Sequence, residues 1–197
     1  MVELPSSSAI SACFKSRLSS TDTRGVYIPA RRDKIILRTN ERRGHTSFIS
    51  ENFPTLPQKP LTFSHCNGVD AYWLGPNEWL LAGHDLIRKE FGSDDVELRN
   101  FDRVALVDVS HQFVEIRVGG ARARDTLKSF VPLDIDPRAF PEGSVSRTAF
   151  AKSEAIIIHE RAPDLFVLLV QRSFADYFLG LICRAGAEFG LGLSTNQ

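Results

Sequence analysis

The stretch that decides the fold is residues 71–81, AYWLGPNEWLL, which holds both tryptophans of the chain. Two apolar runs flank the sequence GPNE at 75–78, and this mixture of Gly, Pro and Asn is typical of a tight turn. The pattern predicts a β-hairpin closed by a type I turn, with Pro76 at the second position and Asn77 at the third.

The predicted turn also fixes which side chains share a face of the hairpin, because side chains alternate along a strand. One face should carry Tyr72, Leu74, Trp79 and Leu81. The other should carry Trp73, Leu80 and Ala82. Both sets are apolar, whereas a surface hairpin leaves one face polar. We therefore expect both faces of this hairpin to be buried.

The two tryptophans allow more than one interpretation. Each would bury about 150–250 Å², which corresponds to about 4–6 kcal/mol as an upper estimate. Packing in the core accounts for such burial. An interface with another chain is the second possibility, since Trp is enriched at binding hot spots. Stacking on a planar ligand is the third.

The composition limits the classes of function. The 197 residues are 43% hydrophobic and 24% charged, which is ordinary for a globular protein. Lys+Arg and Asp+Glu both number 24, so no excess of positive charge favours nucleic-acid binding. Cys13, Cys66 and Cys183 lie far apart and lack metal-ligand spacing, and their odd number is typical of a reducing compartment. No signal peptide or membrane span is predicted, so we expect a cytoplasmic protein.

The order of the predicted elements indicates the fold class. Residues 1–24, rich in Ser and Thr, are predicted to be a flexible N-terminal segment. Residues 25–197 are predicted to form a single domain, with subdomains at about 25–100 and 101–190. Groups of strands joined by short turns alternate with helices, so the sequence predicts an α+β fold with mostly antiparallel sheets and helices packed on them.

Individual elements follow from periodicity and capping. Residues 34–38 are predicted to be a strand, and 86–91 a helix capped by Asp85. A second hairpin is predicted from 104–109 and 113–118, with Glu115 and Arg117 facing outward. The remaining predicted elements are a helix at 121–130, strands at 145–151, 154–159 and 165–170, and a helix at 174–188 capped by Ser173.

Residue types that could do chemistry are present, but none forms a specific motif. Asp108, Ser110 and His111 are catalytic residue types, yet neighbours along a strand point apart, so we interpret 108–111 as a strand end where Asp and Ser cap backbone groups. The glycine pair at 119–120 lacks the further glycines of a phosphate loop and indicates a strand-to-helix turn.

The charged residues favour structural interpretations as well. Arg122, Arg124 and Lys128 would form an anion site if they converged, but such a run is more typical of a solvated helix face. The five histidines lack metal-ligand spacing and are interpreted as turn or surface residues. The sequence thus predicts no catalytic, cofactor-binding or metal-binding residues.

Four segments, in order, resemble one family. Residues 72–81, YWLGPNEWLL, resemble its WLGPDEWLL segment, and 107–110 with 118–124 resemble its DVS…SGxxAR stretch. Residues 132–143, PLDIDPRAFPEG, are similar to a PLDLHPRAFPxG loop, and 168–177, LLVQRSFADY, to LLVxRSFAxYL. The chain is thereby identified as a member of the gamma subunit family of heterotetrameric sarcosine oxidase, over about residues 30–188.

The resemblance implies properties that the composition does not indicate. It implies two related ferredoxin-like subdomains, as in the folate-binding domain of aminomethyltransferase. It implies a non-catalytic structural subunit of an enzyme that oxidatively demethylates sarcosine to glycine, forms peroxide and passes the one-carbon unit to tetrahydrofolate. The partners would be alpha, beta and delta subunits. FAD, FMN, NAD and tetrahydrofolate would be held by those larger subunits, and no cofactor by this chain.

Three hypotheses therefore stand at the level of the sequence, and one of them is an interaction module with no metabolic role. In the first, the chain is the structural gamma subunit, and its candidate interface residues are Trp73, Trp79, Arg138 and Phe140. Arg138 lies beside Asp134 and Asp136, which would either form an interface ion pair with it or shape the turn. In the alternative, the chain is a stand-alone folate-binding or aminomethyltransferase-like protein. The substrate among N-methyl amines is left open.

Overall fold

The computed structural model describes residues 25–39, 53–86, 104–162 and 164–191. The predicted flexible segment 1–24, and the predicted helix 86–91 beyond Leu86, lie outside the described residues. The chain divides into two compact units. One, the inserted unit, comprises residues 31–113, and the other, the split unit, comprises residues 1–30 and 114–197.

The inserted unit contains one five-stranded sheet with the strand order β3-β4-β5-β2-β6. Its strands are β2 Asp33–Thr39, β3 Phe63–Cys66, β4 Val69–Gly75, β5 Glu78–Gly83 and β6 Val104–Asp108. Every neighbouring pair is antiparallel. One core cluster forms on this sheet, and it includes Ile35, Leu37, Ala71, Trp79, Leu81 and Leu106.

The split unit contains the second five-stranded sheet, with the order β1-β7-β10-β9-β8. Its strands are β1 Gly25–Tyr27, β7 Phe113–Gly119, β8 Ser144–Phe150, β9 Ser153–His159 and β10 Leu165–Gln171. The pairs β1–β7, β8–β9 and β9–β10 are antiparallel. Two helices complete the unit, α1 Ala123–Lys128 and α2 Ala175–Glu188, the second preceded by a 3-10 turn.

The two helices bury their apolar sides in the core of the split unit. Leu127 of α1 and Phe178 and Ile182 of α2 join one cluster with sheet residues such as Ile116 and Leu168. Apolar side chains at helical spacing on α2 form the stripe that makes this packing possible. The α+β architecture with antiparallel sheets, predicted from the sequence, is confirmed.

Two glycines of α2 show how closely the chain packs around this helix. A Cβ added at Gly186 would stand 3.0 Å from Leu191 Cβ and 3.2 Å from the Leu191 carbonyl oxygen, and 3.8 Å from Thr126 of α1. A Cβ at Gly180 would meet nothing within 4 Å. The close packing therefore requires glycine at position 186, whereas position 180 has room for a side chain.

The predicted hairpin exists as β4 and β5, but its register differs from the prediction. Trp73 lies opposite Trp79, and Tyr72 lies opposite Leu80. A register irregularity between Trp73 and Gly75 inserts Leu74 as an extra residue, which shifts residues 69–73 by one position relative to the predicted pairing. The bulge is a property of how the two strands pair, so the residue types of the segment did not reveal it.

The turn type was also predicted wrongly. Asn77 has a φ of 62°, a left-handed conformation that the third position of a type I turn does not have. A positive φ at that position is the feature of a type II turn, and Asn is one of the few residues that adopt it. Burial of both hairpin faces is nevertheless confirmed, since Trp79 and Leu81 on one face and Tyr72 and Leu80 on the other are at most 2% exposed.

The second predicted hairpin is wrong in its pairing. Its two strands form as β6 and β7, but β6 pairs with β2 in the inserted unit, and β7 pairs with β1 in the split unit. The units consequently differ from the expected division near residue 100, because β1, expected in the first subdomain, joins the sheet of the split unit, and β6, expected in the second, joins the sheet of the inserted unit. A short connection usually joins two strands that pair with each other. Here β6 and β7 instead pair with strands that are distant in the sequence.

Two further local predictions were wrong. Glu115 was expected to face outward, but it is 5% exposed and pairs with Arg117 at 2.9 Å. A carboxylate is tolerated at a buried position when a cation neutralises it. Ser173 was expected to cap α2, but the residue at the cap position is Phe174, and no side chain caps the helix. The 3-10 turn Arg172–Phe174 leads into the helix instead.

Candidate functional site

The tryptophan pair forms one face of the β4–β5 hairpin. Trp79 is 2% exposed, and its indole N–H donates a 2.8 Å hydrogen bond to the carbonyl of Pro57. Trp73 is half-buried and packs at the margin of the same cluster. The two residues therefore differ in role, because Trp79 is enclosed by its own unit whereas part of Trp73 remains accessible.

The opposite face of this hairpin carries a buried polar network that the sequence did not indicate. Arg32 pairs with the Asp70 carboxylate at 2.5 Å, and the Tyr72 hydroxyl donates to the same carboxylate at 3.0 Å. The ring of His65 lies 2.7 Å from the other Asp70 oxygen. Asp70 is thus held by three partners, which satisfies a carboxylate that is only 7% exposed. These bonds hold neighbouring strands of the sheet together. The polar groups of the network are used within the unit, which favours a structural role.

The loop 132–143 places the two remaining candidate interface residues differently. The side chain of Arg138 is 95% exposed and reaches Asp136 at 3.3 Å. Phe140 is 1% exposed and belongs to the core of the split unit. Arg138 is therefore available to a partner, whereas Phe140 supports the loop from beneath.

Hydrogen bonds within this loop identify what its acidic residues do. The backbone N–H of Asp136 donates to the Asp134 carboxylate at 2.9 Å, and that of Arg138 donates to the Asp136 carboxylate at 3.1 Å. The backbone N–H of Arg138 and then its guanidinium hold the pKa of Asp136 below its usual value, because both stabilise the ionised form. Of the two alternatives for these residues, the hydrogen bonds support shaping of the turn.

A second buried cation lies in the split unit. Arg124 of α1 is 9% exposed, and its guanidinium donates to the carbonyl of Ile135 and lies 3.4 Å from Nε2 of His159. It also covers the ring of Phe166, with 4.9 Å from the guanidinium carbon to the ring centroid. The helix-face interpretation of Arg124 was therefore wrong, because this side chain points into the unit rather than into solvent.

His159 was also misjudged, since it is 3% exposed rather than a turn or surface residue. Its ring stacks on Phe166 at 4.6 Å between centroids, and its Nδ1 lies 3.1 Å from the carbonyl of Phe140. The available signal was its position at the end of the apolar run 155–158, which is typical of a strand buried on both faces.

An open cleft of about 450 Å³ lies beside these two residues. Its walls are formed by the following residues of the split unit: Arg124, Pro137, Pro141, Glu142, His159 and Asp164. Nothing in the sequence indicated this cleft, because its walls come from one helix, the loop 132–143, the end of β9 and the turn before β10. Only the packing of these four pieces creates it.

The segment 108–111 is a turn, as predicted. The backbone N–H of Ser110 donates to the Asp108 carboxylate at 2.8 Å, and the Ser110 hydroxyl accepts from the backbone N–H of Lys34 at 2.9 Å. His111 contacts Arg31 at 3.1 Å. Ser110 and His111 thus serve different partners and do not form a nucleophile–base pair.

Within the described ranges, no group of three or more His, Cys, Asp or Glu residues is arranged to hold a metal ion. Among the same residues, no helix has the length and apolar character needed to cross a membrane. The described site therefore consists of apolar packing, ion pairs and one open cleft.

Comparison with known proteins identifies the family. A model of the sarcosine oxidase gamma subunit family matches residues 55–188, which is more than half of the chain. The chain belongs to this family. The resemblance of its four segments to that family is thereby confirmed, and the gamma subunits are components of an oxidoreductase. No protein of curated function matches the sequence significantly.

Solved structures agree with the family assignment at the level of the fold. A chain of the heterotetrameric sarcosine oxidase from Corynebacterium sp. U-96, in complex with pyrrole 2-carboxylate, aligns with a TM-score of 0.70. The alignment has 20% sequence identity and covers 98% of this chain and 99% of that chain. This chain therefore has the same fold as one chain of that heterotetrameric enzyme.

Proposed function

We propose that this chain is the structural gamma subunit of a heterotetrameric sarcosine oxidase. The complex would convert sarcosine to glycine, form peroxide and transfer the one-carbon unit to tetrahydrofolate. The observation that carries the proposal is the family match over residues 55–188. A structural role agrees with the described polar residues, since Asp70, Asp136 and Ser110 all bond to side chains or backbone groups of their own unit.

The proposal assigns the chemistry to partner chains. The alpha, beta and delta subunits would bind FAD, FMN, NAD and tetrahydrofolate, and the complex would be cytoplasmic and bacterial. The fold-level likeness to the folate-binding domain of aminomethyltransferase remains a prediction from the sequence.

Within this proposal, Trp73 and Arg138 are the residues that contact partner subunits. Both retain accessible surface, and Trp and Arg are the residue types most enriched at the energetic centres of interfaces. Trp79, opposite Trp73 on the facing strand, and Phe140, two residues after Arg138, belong to the cores of their respective units. They would keep the contacting side chains in position without touching a partner.

Co-expression with alpha, beta and delta subunits tests the proposal. We expect the chain to copurify in a complex that contains flavin and oxidises sarcosine, and omission of the chain to reduce the yield of that complex. Size-exclusion chromatography with multi-angle light scattering and the flavin absorbance measure both quantities. A chain that stays monomeric in the presence of all three partners contradicts the proposal, and saturable binding of tetrahydrofolate to that monomer would favour the stand-alone alternative.

Two variants test the interface directly. Trp73→Ala and Arg138→Ala should weaken assembly, whereas Arg147→Ala, which removes an exposed arginine of β8, serves as the matched control. If all three variants assemble equally well, the proposed contact residues are wrong even if the subunit assignment is right.

A further inference from the structure

The open cleft of the split unit contains a cation for which the described residues supply no anionic partner. Arg124 is 91% buried by its unit, since 9% of its surface is exposed. Among the described residues, no carboxylate lies within ion-pair distance of its guanidinium, whose contacts are the carbonyl of Ile135, the ring of His159 and the ring of Phe166. A buried charge without a counter-ion is costly, so such a group is a candidate to bind an anion.

The imidazole beside Arg124 does not supply the missing negative charge. Nε2 of His159 faces the guanidinium, which is a donor only, so this nitrogen accepts the hydrogen bond. Nδ1 then carries the proton and donates it to the carbonyl of Phe140 at 3.1 Å. His159 therefore supplies no negative charge, and among the described residues the Arg124 guanidinium contacts only a backbone carbonyl, this imidazole and the ring of Phe166.

Two acidic residues line the same cleft. Glu142 is exposed, and Asp164 is half-buried. Neither is within 4.0 Å of the Arg124 guanidinium, so the cleft keeps separate positive and negative sites. A ligand that carried only negative charge would be repelled by the two carboxylates, and one that carried only positive charge would be repelled by Arg124.

We propose that this cleft binds a small zwitterion, a free amino acid or a dipeptide. Its carboxylate would accept hydrogen bonds from Arg124, which presents a planar array of donors suited to a carboxylate. Its ammonium group would face Glu142 and Asp164. The cleft volume of about 450 Å³ falls within the range of roughly 300–1,000 Å³ that is typical of small-molecule sites.

The binding site uses residues of one unit of this chain and requires no partner subunit. Its test is therefore separate from that of the proposed function, because ligand binding by the isolated full-length chain is measured independently of assembly and of sarcosine oxidation.

Amide NMR titration of the full-length chain with glycine and glycylglycine tests the proposal. We expect saturable shifts confined to residues around Arg124, Glu142 and His159. Acetate and methylamine, which carry one charge each, should bind at least about tenfold more weakly, since each loses one charge-assisted contact. Absence of saturable shifts at tens of millimolar zwitterion, or equal affinity for acetate and glycine, overturns the proposal.

A rim variant keeps the test independent of folding. Glu142→Gln removes one carboxylate at an exposed position and should weaken glycine binding severalfold without affecting acetate. Glu154→Gln, an exposed position on β9 outside the cleft, is the matched control and should leave binding unchanged. Arg124→Gln should abolish binding if the variant folds. Equal affinity of the Glu142 and Glu154 variants for glycine contradicts the assignment of the ammonium site.

Discussion

Replacement of Trp79 by Ala is the perturbation that best separates packing from assembly. Trp79 is 2% exposed, and its indole N–H is bonded to the carbonyl of Pro57. A buried Trp→Ala change costs about 3–5 kcal/mol through lost burial and the remaining cavity. The Pro57 carbonyl also loses its donor, which adds about 1 kcal/mol. We therefore expect a loss of about 4–6 kcal/mol in the free energy of unfolding, which is comparable to the whole stability of many domains.

Trp73→Ala provides the matched control, because it removes the same side chain from the facing strand. Trp73 is half-buried, and among the described residues its indole N–H makes no hydrogen bond. Partial burial predicts a smaller loss, about 1–3 kcal/mol. If Trp73 contacts a partner subunit, Trp73→Ala should impair complex formation more than Trp79→Ala does when each defect is compared with that variant's loss of stability.

Urea unfolding followed by far-UV circular dichroism measures both stabilities, since tryptophan fluorescence changes with the substitution itself. The inserted and split units could unfold in separate steps, so both transitions should be fitted. Complex yield on co-expression then measures assembly. Equal losses of stability for the two variants would refute the distinction drawn from their burial. Normal assembly of a folded Trp73→Ala chain would refute its role at the interface.

Three further predictions follow from local geometry. Gly180→Ala should raise the free energy of unfolding by up to about 1 kcal/mol through helix propensity, whereas Gly186→Ala should not, because its Cβ would crowd a backbone carbonyl at 3.2 Å; equal urea midpoints would contradict this. Asp70→Asn should cost about 3–5 kcal/mol, since it removes the carboxylate charge that pairs with the buried guanidinium of Arg32, and thermal unfolding measures the loss. By carboxyl NMR, the pKa of Asp136 should lie below 3.8, and Arg138→Ala should raise this pKa only in part because the backbone N–H remains. The stabilisation by ionised Asp136 is present above pH 3.8 and is lost as the pH falls through the lowered pKa. Full recovery of the pKa to 3.8 in the Arg138→Ala variant would refute the backbone contribution.

The second half of the chain was the most predictable part of the fold. The strands at 144–150, 153–159 and 165–171 and the long helix at 175–188 agree with the predicted elements to within one or two residues. Strong apolar periodicity carries this information locally, so it does not depend on what the element contacts. The turn at 108–111 was predicted for the same reason, because the bond from the Ser110 backbone N–H to the Asp108 carboxylate joins neighbouring residues.

The errors share a different physical origin. The bulge at Leu74 and the separation of β6 from β7 depend on which distant strand offers the better partner. The burial of Arg124 and His159 depends on the loop that follows α1 and on two strands, β9 and β10, that lie farther along the sequence. Residue types alone do not report such contacts, since a charged side chain on a short helix is usually solvated.

The sequence by itself determined that this chain forms an α+β protein with a two-faced apolar hairpin, and it identified the gamma subunit family from four short segments. These properties depend on local patterns of turns, periodicity and residue identity. Only the tertiary structure decided which face each tryptophan occupies, which strands exchange between the two sheets, and that a buried guanidinium opens onto a cleft lined by carboxylates. Those features arise from contacts between residues distant in the chain, whose free energies are settled only when the whole domain packs.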